Sequence, residues 1–316
     1  MTTNFHTPVL LQETLDFLAV RPGGKYIDAT VGGGGHTAAI LEKGGEVLAI
    51  DADSDAVRFV RDRFTAELAG KHPKLKIVQG NFKNIEQLAR GHEFGEVAGI
   101  IFDLGMSSWQ IDGSGRGFSY LKNEPLDMRM GPALSVTAGD LLSGLTEKEL
   151  NDLLFRFAEE KRSRAIARAI IRARTLRPFR STRELSGLLA WVELRKPDDF
   201  WSWYGSTFTK SPGGFGSFDR RARVFQALRV VVNDELGSLK LALPRALSIL
   251  AVGGRLVVLS FHSLEDRVVK IFGRETAAQG SSLAILTPKP LRAQEGELRE
   301  NPRARSAMLR VFERKE

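Results

Sequence analysis

Tyr26-Ile27-Asp28-Ala29-Thr30-Val31-Gly32-Gly33-Gly34-Gly35-His36-Thr37 joins a short apolar strand to a helix through four consecutive glycines. The run ending at Ala29 reads as a strand, and His36 to Lys43 carries helical spacing. Working outward, Val47-Leu48-Ala49-Ile50 is a second buried strand that ends at Asp51. Ser54 to Leu68 is helical with Asp53 or Ser54 as N-cap, and Lys76-Ile77-Val78 is a third strand. A short helix near Ile85 to Arg90 precedes a fourth strand, Val97 to Phe102, which runs into Asp103-Leu104-Gly105. Strands alternating with helices of these lengths predict an α/β fold built on a doubly wound, parallel sheet.

The alternation stops after Asp103. Residues 113–131 are glycine-rich and polar, Thr146 to Arg174 is a run of basic amphipathic helix, and Trp201 to Phe218 is a loop rich in aromatics, Gly and Ser. Val224 to Leu250 is strongly helical, with Pro244 expected to kink or divide it. Arg255 to Leu259 is then an apolar strand ending in Ser260-Phe261-His262, Leu264 to Arg274 a helix, and Ala307 to Glu313 a final strand. The simplest organisation is a sheet domain of residues 1–134 and 224–316, interrupted by a helical basic insertion of residues 135–223.

The net charge of +8 is concentrated in that insertion. Between Asn151 and Arg223 there are 16 Lys/Arg against 8 Asp/Glu, which leaves 30 of each sign in the rest of the chain. A local positive field favours a phosphate backbone, because each neutralised phosphate releases condensed counterions. With no cysteine and 5 scattered histidines, disulfides and zinc-thiolate sites are excluded and no metal is expected. No run is long and apolar enough for a membrane helix, and Met1 to His6 does not read as a signal peptide, so a cytoplasmic protein is expected.

A strand that turns through glycines into a helix lets backbone approach a ligand closely. A Walker loop would end in Gly-Lys-Ser/Thr, whereas this one continues Gly35-His36-Thr37, which removes the triphosphate reading. Asp51, about 20 residues on at the end of the second strand, suits ribose hydroxyls in either a dinucleotide or S-adenosylmethionine. The dinucleotide spacing breaks at Thr37, which favours the methyl donor over nicotinamide. Two further strand ends add Phe82, placed to flank an adenine or to pack in the core, and Asp103, followed by the polar turn Leu104-Gly105-Met106-Ser107-Ser108.

These residues bring the chain close to a known family. It resembles the RsmH (MraW) family in Asp28 to His36, in Asp103 to Ser108, and in Arg116-Gly117-Phe118-Ser119. The likeness continues in Pro125 to Met130, Phe225 to Arg229, Val232 to Leu236, Ser260 to Arg267 and Asn301 to Ser306, and His6 to Leu10 matches near the start. The resemblance implies a Rossmann-like class I methyltransferase sheet with an inserted helical domain. It also implies S-adenosylmethionine-dependent methylation of cytidine N4 in the decoding region (P site) of 16S ribosomal RNA, within the small ribosomal subunit. The family's donor contacts fall on Gly34, Gly35, His36, Asp51, Phe82, Asp103 and Gln110. The chain departs from the family at Asp219-Arg220-Arg221-Ala222-Arg223, where His-Pro-Ala-Thr-Arg is usual, at Trp109, where proline is common, and in a longer aromatic loop.

On this reading Asp103, with acceptors from the Ser107-Ser108 turn, holds the amino group and takes its proton, and His262 either contacts the base or relays that proton, or serves as a structural hydrogen-bonder. Asp127 and Arg129 form a lid or RNA contact, or a turn-stabilising ion pair, while Arg164, Arg168, Arg172 and Arg223 face RNA. Two other classes remain open from sequence: a ribosome-binding factor that keeps the donor without catalysis, and a nicotinamide-dependent oxidoreductase. A monomer and a homodimer are equally compatible with the sequence.

Overall fold

The computed structural model describes residues 8–69, 73–194, 220–280 and 282–316, excepting the side chains of Ser108, Glu193 and Leu194. His6, Thr7, the aromatic loop Trp201 to Phe218, and Asp219 lie outside the described residues. The chain divides into two compact units, Met1–Ser107 with Leu236–Glu316, and Ser108–Glu235. Among the described residues no helix is long and apolar enough to cross a membrane.

The first unit holds a seven-stranded sheet: β1 (Lys25–Asp28), β2 (Glu46–Asp51), β3 (Leu75–Gln79), β4 (Val97–Asp103), β5 (Leu250–Ser260), β6 (Leu283–Ile285) and β7 (Met308–Arg314). The order is β3-β2-β1-β4-β5-β7-β6. Pairing is parallel from β3 to β5, and β7 runs antiparallel to both β5 and β6. Parallel strands covered on both faces read as unbroken apolar runs, as in Val47 to Ile50 and Ile100 to Phe102. Alternate residues serve opposite faces. Leu48, Ile50, Ile100, Phe102, Leu256 and Val258 enter one core, while Val47, Ala49, Ile101, Val257 and Leu259 enter the other.

Helices α1 (Leu11–Leu18), α2 (Gly35–Glu42) and α3 (Ser54–Arg63) contribute Leu15, Leu18, Ile40 and Val60 to the second core. The first core is closed by Ile85 and Ala89 of α4 (Ile85–Gly91). The strand order reverses between β1 and β4, and such a switch point opens a crevice at the carboxyl ends of the strands. Asp28, Asp51 and Asp103 are the last residues of β1, β2 and β4.

The second unit contains α5 (Ser108–Asp112), α6 (Ala138–Gly144), α7 (Glu147–Ala158), α8 (Ser163–Leu176), α9 (Thr182–Leu194) and α10 (Arg220–Val232). The expected single helix from Thr146 to Arg174 is two helices. Thr146 and Glu149 form a reciprocal cap at the start of α7, and Glu159 leaves it in a left-handed conformation with φ 48°. The buried faces are Leu150, Leu153, Leu154 and Ala158 on α7, and Ile166, Ala167, Ile170 and Ala173 on α8, both at helical spacing.

The expected boundaries at 135 and 223 lie inside this unit, which also takes in residues 113–131. Met128 is fully buried; the Met130 N–H donates to Asn233 Oδ1 at 2.7 Å and Asn233 Nδ2 donates to the Met128 carbonyl at 2.8 Å.

Helix α11 (Glu235–Ser248) follows, then α12 (Ser263–Ala278) and the short α13 (Glu295–Glu300). The long helical stretch from Val224 divides at Asn233-Asp234, where Asp234 takes φ 46°, and not at Pro244, which sits inside α11. Pro244 and Lys240, whose carbonyl loses its partner, are both exposed, so solvent can take the place of the missing N–H.

Candidate active site

The glycine loop is fixed from beneath by its own chain. Gly34 takes φ 74°, and a Cβ there would stand 2.7 Å from Phe64; at Gly35 a Cβ would stand 2.2 Å from Pro8. Glycine is therefore required by packing at both positions, and at Gly34 by conformation as well. Asp51 ties the loop to β2: its Oδ2 accepts from the Gly32 N–H and its Oδ1 from the Asp53 N–H, each at 2.9 Å. Arg63 donates to the Gly33 carbonyl at 2.5 Å. The helix after Asp51 is capped by Asp53, whose side chain accepts from the Asp55 N–H at 3.0 Å.

Two acids flank this loop. Asp28, only 1% exposed, accepts from Thr37 Oγ1 at 2.7 Å and from the Thr30 N–H at 3.3 Å. Thr30 in turn accepts the Asp103 backbone N–H at 2.7 Å, so one threonine joins the ends of β1 and β4. Asp103 Oδ2 lies 3.5 Å from His36 Nδ1, with the two side chains 12% and 5% exposed. Asp103 Oδ1 is buried and has no hydrogen-bond partner among the described residues. Ser107 is nearly buried and its Cβ faces the position a Gly32 Cβ would take, at 4.0 Å, so the turn after β4 lies against the loop.

Burial raises the proton affinity of these acids. It pushes Asp28 up to about 6 against the opposing hydrogen bonds from Thr37 and Thr30. It pushes Asp51 up to about 6 against the N–H groups of Asp53 and Gly32. Asp103 is held well above the usual carboxylate range by burial first, and then by Asp28 and Glu265. A folded-state pKa above the unfolded one means that the folded chain keeps protons the unfolded chain releases. Stability therefore falls as pH rises from about 4 to about 6, by roughly 3 kcal/mol for the buried Asp28. A crevice lined by these acids fits a cationic ligand.

The remaining expected residues are placed differently. Phe82 opens a short 3-10 turn and packs edge-on against core Phe102, with centroids 5.6 Å apart at 82°. His262 caps α12: its Nδ1 accepts the Glu265 N–H at 3.4 Å and its Nε2 lies 3.1 Å from Glu265 Oε1. Glu265 Oε2 accepts the N–H groups of Phe261 and His262, completing a reciprocal box. The structure thus gives His262 a capping role, and the histidine it sets against Asp103 is His36.

In the second unit, Gln110 is nearly buried on α5, and its carbonyl accepts from Ser114 Oγ at 2.7 Å. Asp127 and Arg129 form a two-pronged ion pair at 2.7 and 2.8 Å, which holds the Asp127 carboxyl below the usual range. Arg223 is drawn onto Glu160, at 2.6 Å, and Arg220 reaches the same carboxylate at 3.2 Å. On α8, Arg164, Arg168 and Arg172 are exposed along one face. Arg174 instead donates to the carbonyls of Leu142 and Leu145 at the end of α6.

Asp28, Thr30 and Glu265 were not singled out from sequence. Asp28 had one signal, an acid as the last residue of the strand before the glycines. Glu265 had another, the His-x-x-Glu spacing that opens α12.

The chain matches the MraW methylase family over residues 3–315. A ribosomal RNA small subunit methyltransferase H of Acidobacterium capsulatum is 43% identical over 98% of this chain and 98% of its own length. The protein of that name from Thermomicrobium roseum is 42% identical over 98% and 93%, and that from Dehalococcoides mccartyi 39% over 98% and 86%. A likeness that runs from end to end and takes in the glycine loop with all three strand-end aspartates leaves one assignment: the chain belongs to the MraW methylase family.

Proposed function

We propose that this protein transfers a methyl group from S-adenosylmethionine to N4 of a cytidine in the decoding region of small-subunit ribosomal RNA, acting in the cytoplasm. The observation that carries the reading is Asp103: a buried carboxylate at the end of β4, next to the glycine loop, with one oxygen unengaged among the described residues. The relatives' shared name supplies the substrate class. Membership of a methylase family supports neither a nicotinamide-dependent oxidoreductase nor a factor without catalysis.

The donor fits the loop chemically. When bound, it supplies a sulfonium-activated methyl group, and its positive charge suits the acids at the strand ends. Gly34, Gly35 and His36 would hold it on the loop, Asp51 at the ribose, and Phe82, Asp103 and Gln110 would complete the set. The amino group of cytosine is a poor nucleophile because its lone pair is delocalised into the ring. Asp103 Oδ1 accepts a hydrogen bond from that group, localises the pair on nitrogen, and takes the proton once the methyl has moved. Ser107 supplies a further acceptor from the turn. The base has to leave any stack to reach these groups.

The second unit is the RNA-recognition part of this proposal, with the exposed arginines of α8 as its phosphate contacts. Asp127 and Arg129 serve there to fix the turn that carries Met128.

The raised acids set the pH dependence of donor binding. With Asp28 and Asp51 pushed up to about 6, both are ionised at pH 8 and largely protonated at pH 5. A cationic donor needs the ionised forms, so its affinity falls on acidification by about tenfold for each group that has to lose a proton at pH 5. Calorimetric titration with the donor at the two pH values checks this, and equal affinities contradict it. The substrate assignment itself is tested by labelled-donor transfer to small subunits that lack the modification.

A further inference from the structure

We infer that His36 is the positioning residue for Asp103: its Nδ1–H holds Asp103 Oδ2, which favours the ionised carboxylate over its protonated form and presents Oδ1 to the substrate amino group. The inference rests on the methyl-transfer reading and adds to His36 a role distinct from holding the donor.

Three observations meet in this pair. The two side chains are almost wholly buried and lie 3.5 Å apart, on different elements, α2 and the end of β4. Asp103 Oδ1 is left without a partner among the described residues while Oδ2 faces the imidazole. The remaining charged groups that act on Asp103 are Asp28 on β1 and Glu265 on α12, both acids, and both oppose its ionisation. His36 is thus the partner seen here that can donate to the carboxylate and, when protonated, balance its charge. In the proposed pair the imidazole donates its Nδ1–H to Asp103 Oδ2.

The step balances with this arrangement. The nitrogen lone pair forms the new N–C bond as the S–C bond breaks, and the electrons of the broken bond remain on sulfur as a neutral thioether. The nitrogen, now positively charged, loses a proton to Asp103 Oδ1, which leaves the base neutral and the carboxyl protonated. His36 keeps its Nδ1 proton throughout and fixes which oxygen receives the new one. Without it, one hydrogen bond to the carboxylate is lost, and the proton affinity that burial, Asp28 and Glu265 already raise climbs further.

Two measurements test the pair. In the donor-free protein, the imidazole of His36 is titrated by nitrogen NMR in the wild type and in Asp103→Asn. Loss of the carboxylate is expected to lower the His36 midpoint by about one pH unit or more. An unchanged midpoint overturns the pairing, whatever the enzyme's activity. In the second measurement, transfer rates are followed from pH 5.5 to 9.5 for the wild type, His36→Leu and His36→Asn. His36→Leu is expected to lose more than tenfold in kcat at pH 7 and to recover at high pH, with its acid limb moved up by at least one unit. His36→Asn, which keeps a donor near the Nδ1 position without titrating, restores most of the rate at pH 7. A loss confined to the donor KM, with the acid limb unmoved, contradicts the inference and leaves His36 as a donor contact only. Absence of transfer by the wild type would instead refute the methyl-transfer reading, and the NMR titration stands apart from it.

Discussion

Asp103→Asn is expected to lower methyl transfer by about a thousandfold while changing donor affinity by less than about tenfold. Asparagine keeps the size of the side chain and one oxygen acceptor, so it can still orient an amino group, but it cannot take a proton at neutral pH. General-base contributions of this kind are worth about 10²- to 10⁴-fold in rate. The local structure should survive, because the backbone N–H of Asp103 is held by Thr30 and its side chain anchors no other backbone group shown here. Asparagine also removes a carboxyl whose ionisation the buried site opposes, so folding stability at neutral pH should not fall. Single-turnover rates and calorimetric donor affinity, measured on the same preparation, separate the two effects. Activity near the wild-type level would remove Asp103 from the chemistry. A collapse of donor affinity with an unchanged single-turnover rate at saturating donor would make it a binding residue.

Reversal of charge at Arg164, Arg168 and Arg172 together is expected to weaken binding to the small ribosomal subunit by about a hundredfold or more at moderate salt. The three lie at successive helical turns on the exposed face of α8. If each meets one phosphate, the slope of log affinity against log salt should fall by about two to three. Arg168 has an ion pair to Glu147, at 3.6 Å between exposed groups, so its loss costs the fold little. Donor affinity should be unchanged. Reversal of Arg174 makes a useful contrast, because that side chain closes the end of α6 and its loss acts on stability. An unchanged salt slope in the triple variant would count against RNA docking on this helix.

Much of the sheet was legible because parallel strands announce themselves twice, as unbroken apolar runs and as special residues at their ends. Val47 to Ile50 followed by Asp51, and Val97 to Phe102 followed by Asp103, needed no other information. The three-residue β6 was missed, since Leu283 to Ile285 is too short to carry any period. The antiparallel direction of β7 was equally hidden, because it depends on pairing with β5 and not on local pattern.

Residues 113–131 showed only a glycine-rich, polar pattern, because what holds them is distant: Met130 and Asn233 are 103 residues apart. The donor loop was readable as a loop, yet the pairing of His36 with Asp103 was not, since only the β1–β4 register brings those elements together. For His262 the sequence left a chemical and a structural role open. Its place at a strand end suggested chemistry and its His-x-x-Glu spacing a capping box; the structure shows the box, in which Glu265 satisfies two backbone donors at once.

The central claim is the reaction itself, and one measurement meets it directly. Purified protein is incubated with methyl-labelled S-adenosylmethionine and small ribosomal subunits that lack the modification, and the RNA is digested to nucleosides and separated. The account predicts label in a single cytidine derivative carrying the methyl group on N4, with none when Asp103→Asn protein is used over the same time. Label on a ring carbon or a ribose, or no label in RNA, would contradict it.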